Sequence, residues 1–302
     1  MLASSSKPQS SSGSSGLLSS FEKQQQKQRH RHHHHHQSKL KRKCEFQMQH
    51  RFWGRGGFLA AEGLTKTTTS ATSSSDTKTT KTSEKSAIEF AVQALKRGSV
   101  IAVPTDTLYG FACDASNAEA IENLYAVKGR EKTKPVAVCV SRAEEVKKIC
   151  ELDGKIEESL LRKLLPGAVT LLFKRKWTET TLSKSLNPNV DNVGVRVPDC
   201  AFILDVCDAF DGAIALTSAN TSGKPSCVDV NEFRELHEKC ERVFDVGKII
   251  EDDGSTDSAL LRAGSTIVDL SKGDGTFHVV RDGCALKNTT SVLLEYGFIE
   301  SK

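Results

Sequence analysis

From residue 84 onward the sequence predicts an α/β domain built on one mixed sheet, and three observations carry that expectation. Apolar runs of strand length alternate with segments whose apolar residues recur at helical spacing. Gly, Pro and hydroxyl-rich turns separate the two kinds. The link from Leu270 to Phe277 is too short for a crossover helix, so its flanking strands read as an antiparallel hairpin.

The preceding segment differs in composition. Residues 1–83 hold 14 Lys and Arg against 4 Asp and Glu, a net of +10, whereas the rest of the 302 residues carry 28 against 34, a net of −6. The overall +4 therefore does not describe a basic folded domain. Residues 1–20 are Ser-rich, 23–43 read KQQQKQRHRHHHHHQSKLKRK, and 65–83 are almost entirely Thr, Ser and Lys. Such stretches bury too little apolar surface to offset ordering entropy, so 1–83 is expected to be a disordered low-complexity segment and 84–302 the folded domain. Early Ser, sparse acid and scattered Arg and Lys suit an organellar transit peptide, with a cytosolic tail as the plainer alternative. His32 to His36 form an uninterrupted run without defined ligand geometry, and no metal site is assigned there.

The elements follow in order. Ile88, Val92 and Leu95 give Ser86 to Lys96 a helical face that Gly98 ends. Val100 to Val103 is a buried strand stopped by Pro104, and Thr105, Asp106 and Thr107 place three oxygen-bearing side chains at its carboxyl end, where open α/β sheets bind ligands. The chain turns after Tyr109-Gly110, Asn117 caps a helix bearing Ile121, Leu124 and Tyr125 on one face, and Gly129 closes it. Lys128 and Arg130 flank that glycine; they either complement the helix dipole, worth at most about 1 kcal/mol, or form an anion site facing the Thr-Asp-Thr turn.

Pro135 to Val140 reads as a strand, Ser141 as the cap of a short helix ending near Cys150, Ile156 to Leu165 as a helix, and Ala168 to Phe173 as a strand. Lys174 to Asn192 lacks periodicity and is expected to be a long loop of the kind that often carries function. Val193 to Val197 is a strand containing Arg196, a helix follows from Pro198 to Phe210, and Ala213 to Thr217 is a strand leaving through Ser218-Ala219-Asn220. Asp229 and Glu232 make a capping box for a helix through Cys240. Arg242 to Val246, Thr266 to Leu270 and Phe277 to Arg281 are strands, and Asn288 caps a last helix through Tyr296.

Several polar residues thus fall at strand ends: Thr105, Thr107, Arg196, Ser218, Asn220, Ser265 and Arg281. Singly, each has a plainer role, Ser218 and Asn220 as turn formers and Arg196 as partner of a core carboxylate. Their joint placement points to one cleft. Gly223-Lys224-Pro225-Ser226 is no Walker A loop, because Ser218 stands where the first glycine is required, and no G-x-G-x-x-G is present. Neither His237 nor His278 has a partnered nucleophile nearby, metal-ligand spacing is missing, and the nine cysteines contain no C-x-x-C pair and read as reduced core residues. No apolar run approaches the length of a spanning helix. What remains is cations, hydroxyls and an amide converging, as electrostatic catalysis on phosphates or carboxylates requires.

Four blocks, PTDTLYG with KGR and KP, PGAVTLLF, VGVRVPD followed by LTSANTSGKPS, and STIVDL with RDG, closely resemble the YrdC-like family, the threonylcarbamoyl-AMP synthases, over about residues 86–290. The resemblance implies a single-domain twisted open mixed sheet around a deep cationic cleft. It implies formation of threonylcarbamoyl-AMP and pyrophosphate from L-threonine, bicarbonate and ATP with Mg²⁺. The product would feed a downstream tRNA threonylcarbamoyl-transfer machinery that makes N6-threonylcarbamoyladenosine, with at most weak tRNA binding by this chain.

By the same resemblance, Lys128 and Arg130 match the family's K-x-R and are expected on phosphate and carbamate, while Ser218 and Asn220 match its S-x-N and orient the nucleotide phosphates. Thr107 and Arg196 are expected to hold L-threonine, Arg196 through its carboxylate, with Leu216 and Ser265 lining that side. Arg130, Lys134, Ser218, Ser226 and Arg281 are the expected ATP contacts. The pattern departs from the family at Asp282, where proline is usual, at Gly264, where an acid is frequent, and at Lys134, which is Asn in some members. Two other classes stand beside this reading, a non-catalytic RNA-binding module and carbamoyl transfer from carbamoyl phosphate. The −6 beyond residue 83 opposes strong RNA affinity. Cytoplasm, mitochondrion and chloroplast all remain open as destinations.

Overall fold

The computed structural model describes residues 52–54, 57–58, 76–131, 134–250 and 262–301. Every described residue falls within 40–302, which form one compact unit. Within 1–83 the described residues are two short strands, β1 (Phe52–Gly54) and β2 (Gly57–Phe58), and the opening of helix α1 (Asp76–Lys96). The His run and the remainder of that segment lie outside the described residues. The helix expected from Ser86 thus begins at Asp76.

β3 (Ile101–Pro104) is buried along its length, as its unbroken apolar run requires. Tyr109 and Gly110 then depart from expectation. They do not turn into the helix but begin β4 (Tyr109–Asp114), which returns antiparallel with Tyr109 opposite Pro104 and Ala112 opposite Ile101. Both faces of YGFACD are covered, so no alternation marks it as a strand. Gly110 sits at a close approach, where a Cβ would stand 2.8 Å from a Leu216 methyl and 3.1 Å from the Thr217 carbonyl oxygen.

Helix α2 (Ala118–Lys128) forms as its local signals dictate. Asn117 Oδ1 accepts from the N–H groups of Glu119 and Ala120, and Gly129 at φ 56° lets its own N–H reach the Ala126 carbonyl while Arg130 N–H reaches Tyr125. β5 (Ala137–Cys139) precedes a 3-10 turn (Ala143–Glu145), α3 (Val146–Ile149) and the short β6 (Cys150–Glu151). Ser141 caps nothing; its N–H and hydroxyl both donate to the Glu145 carboxylate at 3.0 Å. Next come α4 (Glu158–Leu164), β7 (Val169–Arg175), β8 (Asn192–Arg196), α5 (Ala201–Phe210) and β9 (Ile214–Ser218).

Val230–Lys239 is a kinked 3-10 segment, with Phe233 at φ −128°, rather than an α-helix. The predicted capping box is half made. Asp229 accepts from Asn231 N–H, but the Glu232 carboxylate takes Val228 N–H and pairs with Arg262 at 2.7 Å. β10 (Arg242–Phe244), β11 (Thr266–Asp269) and β12 (Thr276–Arg281) follow, the last two as the expected antiparallel hairpin. Helix α6 (Leu286–Glu295) starts after Ala285, so Asn288 lies inside its first turn and is not its cap, and β13 (Ile299–Glu300) ends the described chain.

The strands join in the order β13-β12-β11-β7-β8-β5-β9-β4-β3-β10-β1-β2, with β6 beside β7. The sheet is mixed: β3 with β10, β5 with β8, β7 with β11 and β12 with β13 run parallel. β4 and β9 run antiparallel with Gly110 opposite Ser218, and Ala137 of β5 lies opposite Leu216, so the β3–β4 turn and the exit of β9 meet at one end of the sheet.

The long loop after β7 is a buried polar clamp. Arg175, almost wholly buried, donates to the carbonyls of Ser183 and Leu186. Asn187, buried at φ 50°, accepts from Val136 N–H at 2.7 Å and from the Tyr125 hydroxyl at 3.2 Å, and donates to the Val136 carbonyl. Those bonds fix the approach to β5 and engage Asn187 and both Nη groups of Arg175, while the buried Arg175 Nε has no hydrogen-bond partner among the described residues. The described cysteines are free thiols, and those of Cys139 and Cys207 lie 3.5 Å apart in the core.

Candidate active site

A cavity of about 160 Å³ opens where these strand ends converge. All four residues expected around the amino acid, Thr107, Arg196, Leu216 and Ser265, line it. So do Arg130, Ser218, Ser226 and Arg281 of the expected nucleotide set. Lys128, Asn220 and Lys134 are not on its wall.

The β3–β4 turn forms one side. Thr105 Oγ1 donates to the Leu108 carbonyl at 2.7 Å and accepts from the N–H groups of Leu108 and Thr107, locking residues 105–108 into a closed turn. The Thr107 hydroxyl, 3.1 Å from that of Thr105, is thereby held at the cavity. Arg196, at the end of β8, donates through Nη2 to Asp106 Oδ1 at 2.6 Å and reaches Thr107 Oγ1 at 3.4 Å, while its buried Nε has no hydrogen-bond partner among the described residues. The core-carboxylate reading of Arg196 and the ligand reading are therefore compatible: the pair with Asp106 is real, and the guanidinium still lines the cavity.

The opposite side is built by β7, β11 and β12. Thr170 Oγ1 and Ser265 Oγ are 2.8 Å apart, and Arg281 donates from Nε and Nη2 to the Ser265 carbonyl at 3.0 and 2.7 Å. Partial burial and, secondarily, the nearby Arg196 lower the Arg281 pKa. Thr170 was not singled out from the sequence; the signal was a lone hydroxyl in the apolar run AVTLLF. Asp282, beside Arg281, is not among the cavity-lining residues.

Lys128 stands behind the wall. The C-terminus of α2 aims at the exit of β9, and Nζ donates to the Ser218 carbonyl, to Ser218 Oγ at 3.2 Å and to Asn220 Oδ1 at 3.2 Å. Asn220 is oriented by its own amide, which donates to the carbonyls of Thr221 and Lys224, so its oxygen is left to receive Lys128 and the Ser218 hydroxyl. Lys128 therefore reaches the cavity through Ser218. Burial, reinforced by Arg130, brings its pKa down to about 7.

Arg130, just past the helix, donates from Nε to the Lys134 carbonyl at 2.9 Å and from Nη2 to the Pro135 carbonyl at 2.8 Å. Its pKa is lowered by burial. Lys134 contributes that carbonyl while its exposed side chain stays off the cavity wall. The Ser226 carbonyl accepts from Arg262 Nη1 at 2.8 Å, so the Arg262–Glu232 pair steadies the loop that brings Ser226 to the cavity. Three guanidinium groups and a row of hydroxyls on one small cavity favour ligands carrying phosphate or carboxylate. Among the described residues no group of three His, Cys, Asp or Glu could hold a metal ion, and no helix is long and apolar enough to cross a membrane.

Comparison with known proteins identifies relatives of the chain and of its fold. Threonylcarbamoyl-AMP synthase of Bos taurus is 46% identical over 215 residues, covering 71% of this chain and 74% of that protein. The Homo sapiens protein of the same name is 45% identical over 216 residues, with 71% and 74% covered. In fold, the chain is similar to Pyrococcus abyssi Sua5 crystallised with L-threonine, at a TM-score of 0.60 and 24% identity over 71% of this chain and 58% of that one. It is also similar to Escherichia coli YciO, at a TM-score of 0.56 and 22% identity over 66% and 90%. Residues 93–283 match the family model named for Sua5, YciO and YrdC and described as telomere recombination, a span that runs from α1 to just past Arg281 and takes in every cavity-lining residue named above. With most of its described fold inside that match, the chain belongs to the Sua5/YciO/YrdC family.

Proposed function

We propose that this chain is a threonylcarbamoyl-AMP synthase, condensing L-threonine, bicarbonate and ATP into L-threonylcarbamoyladenylate and pyrophosphate for N6-threonylcarbamoyladenosine modification of tRNA. The observation that carries this reading is a cavity walled by Arg130, Arg196 and Arg281 on the fold of relatives that bear that name. In the first step the threonine amine attacks the carbon of bicarbonate, a C–N bond forms and water leaves, giving a carbamate. One carbamate oxygen then attacks the α-phosphorus, an O–P bond forms, and pyrophosphate departs with the bridging electron pair. Every participant is anionic or becomes so, and positioning with charge neutralisation does most of the work.

Arg196 and Thr107 suit the threonine carboxylate and hydroxyl, with Leu216 against its methyl group. Arg130, Arg281, Ser226 and Ser218 suit the phosphates, and Ser218 is held in place by Lys128 and Asn220. ATP fits the three cations without a glycine loop, and Mg²⁺ would supply further neutralisation on the nucleotide's own phosphate oxygens. The product is a labile mixed anhydride, so it calls for handover to a downstream tRNA-modifying transferase. The Ser-rich, acid-poor segment 1–83 supports a mitochondrial or chloroplast address, with the cytoplasm as its alternative.

Pyrophosphate release by the full chain tests the reading directly. Release with ATP and Mg²⁺ is expected only when L-threonine and bicarbonate are both present, and much less with L-serine. Release indifferent to threonine would refute it.

A pH prediction follows from Lys128. Its folded pKa of about 7 lies below its ordinary value, so the cation that steadies Ser218 and Asn220 is present below pH 7 and is lost as pH rises through that value. In the free enzyme kcat/KM for ATP should therefore fall above pH 7, whereas kcat should hold to higher pH because bound phosphate raises the Lys128 pKa. Coincident profiles for kcat and kcat/KM would contradict this assignment.

A further inference from the structure

Asp106 places a carboxylate beside a cavity suited to anions, where gross electrostatics would exclude one. Its side chain is 7% exposed and both oxygens are engaged, Oδ1 by Arg196 Nη2 at 2.6 Å and Oδ2 by the Asp199 N–H at 3.1 Å. Asp106 is not among the cavity-lining residues, whereas its two neighbours in the turn, Thr105 and Thr107, and its partner Arg196 are. The closed turn made by Thr105 fixes the backbone on either side of it, and the Asp199 N–H ties it to the segment leading into α5.

Arg196 and Arg281 face the same cavity from its two sides, near enough for the one charge to act on the other, and two guanidinium groups so placed repel. Neither Thr107, at 3.4 Å, nor the unpartnered Nε gives Arg196 a firm hold. The bond to Asp106 does. Taking the proposed synthase reading as its basis, we infer that Asp106 is a positioning residue for the amino-acid subsite: it touches no substrate, and it holds the Arg196 guanidinium in the one orientation that presents it to the threonine carboxylate.

The sign of one measurement separates this role from a simple charge effect. Asp106→Asn keeps the size and the acceptor for Asp199 N–H but removes the charge. If local charge alone mattered, the variant would hold the carboxylate of zwitterionic L-threonine more tightly. With positioning dominant, KM for L-threonine rises about 10- to 100-fold, the range expected when a charge-assisted bond is lost, while kcat at saturating threonine falls far less and KM for ATP is unchanged. Asp106→Glu, which restores the charge one methylene away, should recover part of that loss.

A second readout does not depend on the substrate. In full-length protein labelled at arginine, the Arg196 Nε–H resonance, assigned with Arg196→Lys, should move and broaden in Asp106→Asn. A KM for threonine that is unchanged or lowered, or an Arg196 resonance that stays put, would overturn the inference. Should Asp106→Asn not fold, Asp106→Glu carries both measurements, with a smaller KM rise expected. Wild-type protein without threonine-dependent turnover would instead defeat the synthase reading, and the resonance would still decide whether Asp106 positions Arg196.

Discussion

Lys128→Ala should lower kcat/KM for ATP by about 10²-fold, corresponding to roughly 2 to 3 kcal/mol of lost charge-assisted contact. The side chain is buried, and its ammonium group satisfies the Ser218 carbonyl, the Ser218 hydroxyl and Asn220 Oδ1 at once. Removing it frees Ser218 to rotate away from the cavity and leaves buried oxygens without a donor. Burying an ammonium is itself costly, as its pKa of about 7 records, so alanine also removes a desolvation penalty. The two effects oppose each other in stability but not in activity. The variant should therefore melt near the wild-type temperature while losing turnover, which steady-state pyrophosphate release and a thermal melt would establish together. Turnover within threefold of wild type in a folded variant would remove Lys128 and Ser218 from the nucleotide side of the site.

Arg196→Ala should act on the other substrate and on stability alike. It removes the guanidinium proposed for the threonine carboxylate, and kcat/KM for L-threonine should fall by about 10² to 10³-fold through loss of that contact. It also leaves Asp106 buried with only the Asp199 N–H, and breaking a buried pair from one side costs on the order of 3 to 5 kcal/mol. A lowered melting temperature is therefore expected, unlike the Lys128 case. Arg196→Lys separates the two effects: it keeps a cation for Asp106 and so most of the stability, yet loses the planar fork. Its threonine defect should persist while its melt recovers. If Arg196→Lys retained wild-type kcat/KM for threonine, the forked contact would be refuted; if Arg196→Ala did so, the subsite lies elsewhere.

What the sequence made legible was what is decided locally. Asn117, Gly129 and the apolar face between them define α2 within a dozen residues, and the structure places the cap bonds where the pattern put them. The strand ends bearing Thr107, Arg196, Ser218, Ser265 and Arg281 were legible for the same reason, and they converge on one cavity. β4 was not legible. Its YGFACD run is covered on both faces, so neither a period of two nor a helical period marks it, and its conformation is set by pairing with β3 and β9. The burial of Lys128 followed the same course, because its three acceptors come from the distant exit of β9. The capping box at Asp229 looked complete in sequence, but Glu232 had a better partner in Arg262, thirty positions away, which no local pattern reveals. Asn288 lost the start of α6 to Ala285, whose N–H donates to Thr266 Oγ1 instead.

The strand order also governs how the molecule is made. Ile101 pairs with Arg242, Ala112 with Leu216, and Val169 with Thr266, so nearly every central ladder waits for a partner far along the chain. During synthesis from the N-terminus, β3 and β4 can close on each other early, but their outer edges stay bare until β9 and β10 leave the ribosome. Such long-range pairing slows folding and exposes apolar edges to self-association in the interval. The cavity is completed late, because Ser218 arrives at the end of β9, Ser265 just before β11 and Arg281 at the end of β12. A nascent chain interrupted before β9 therefore carries the β3–β4 hairpin with its outer edge unpaired and the Lys128 helix without the Ser218 and Asn220 oxygens that receive its ammonium group.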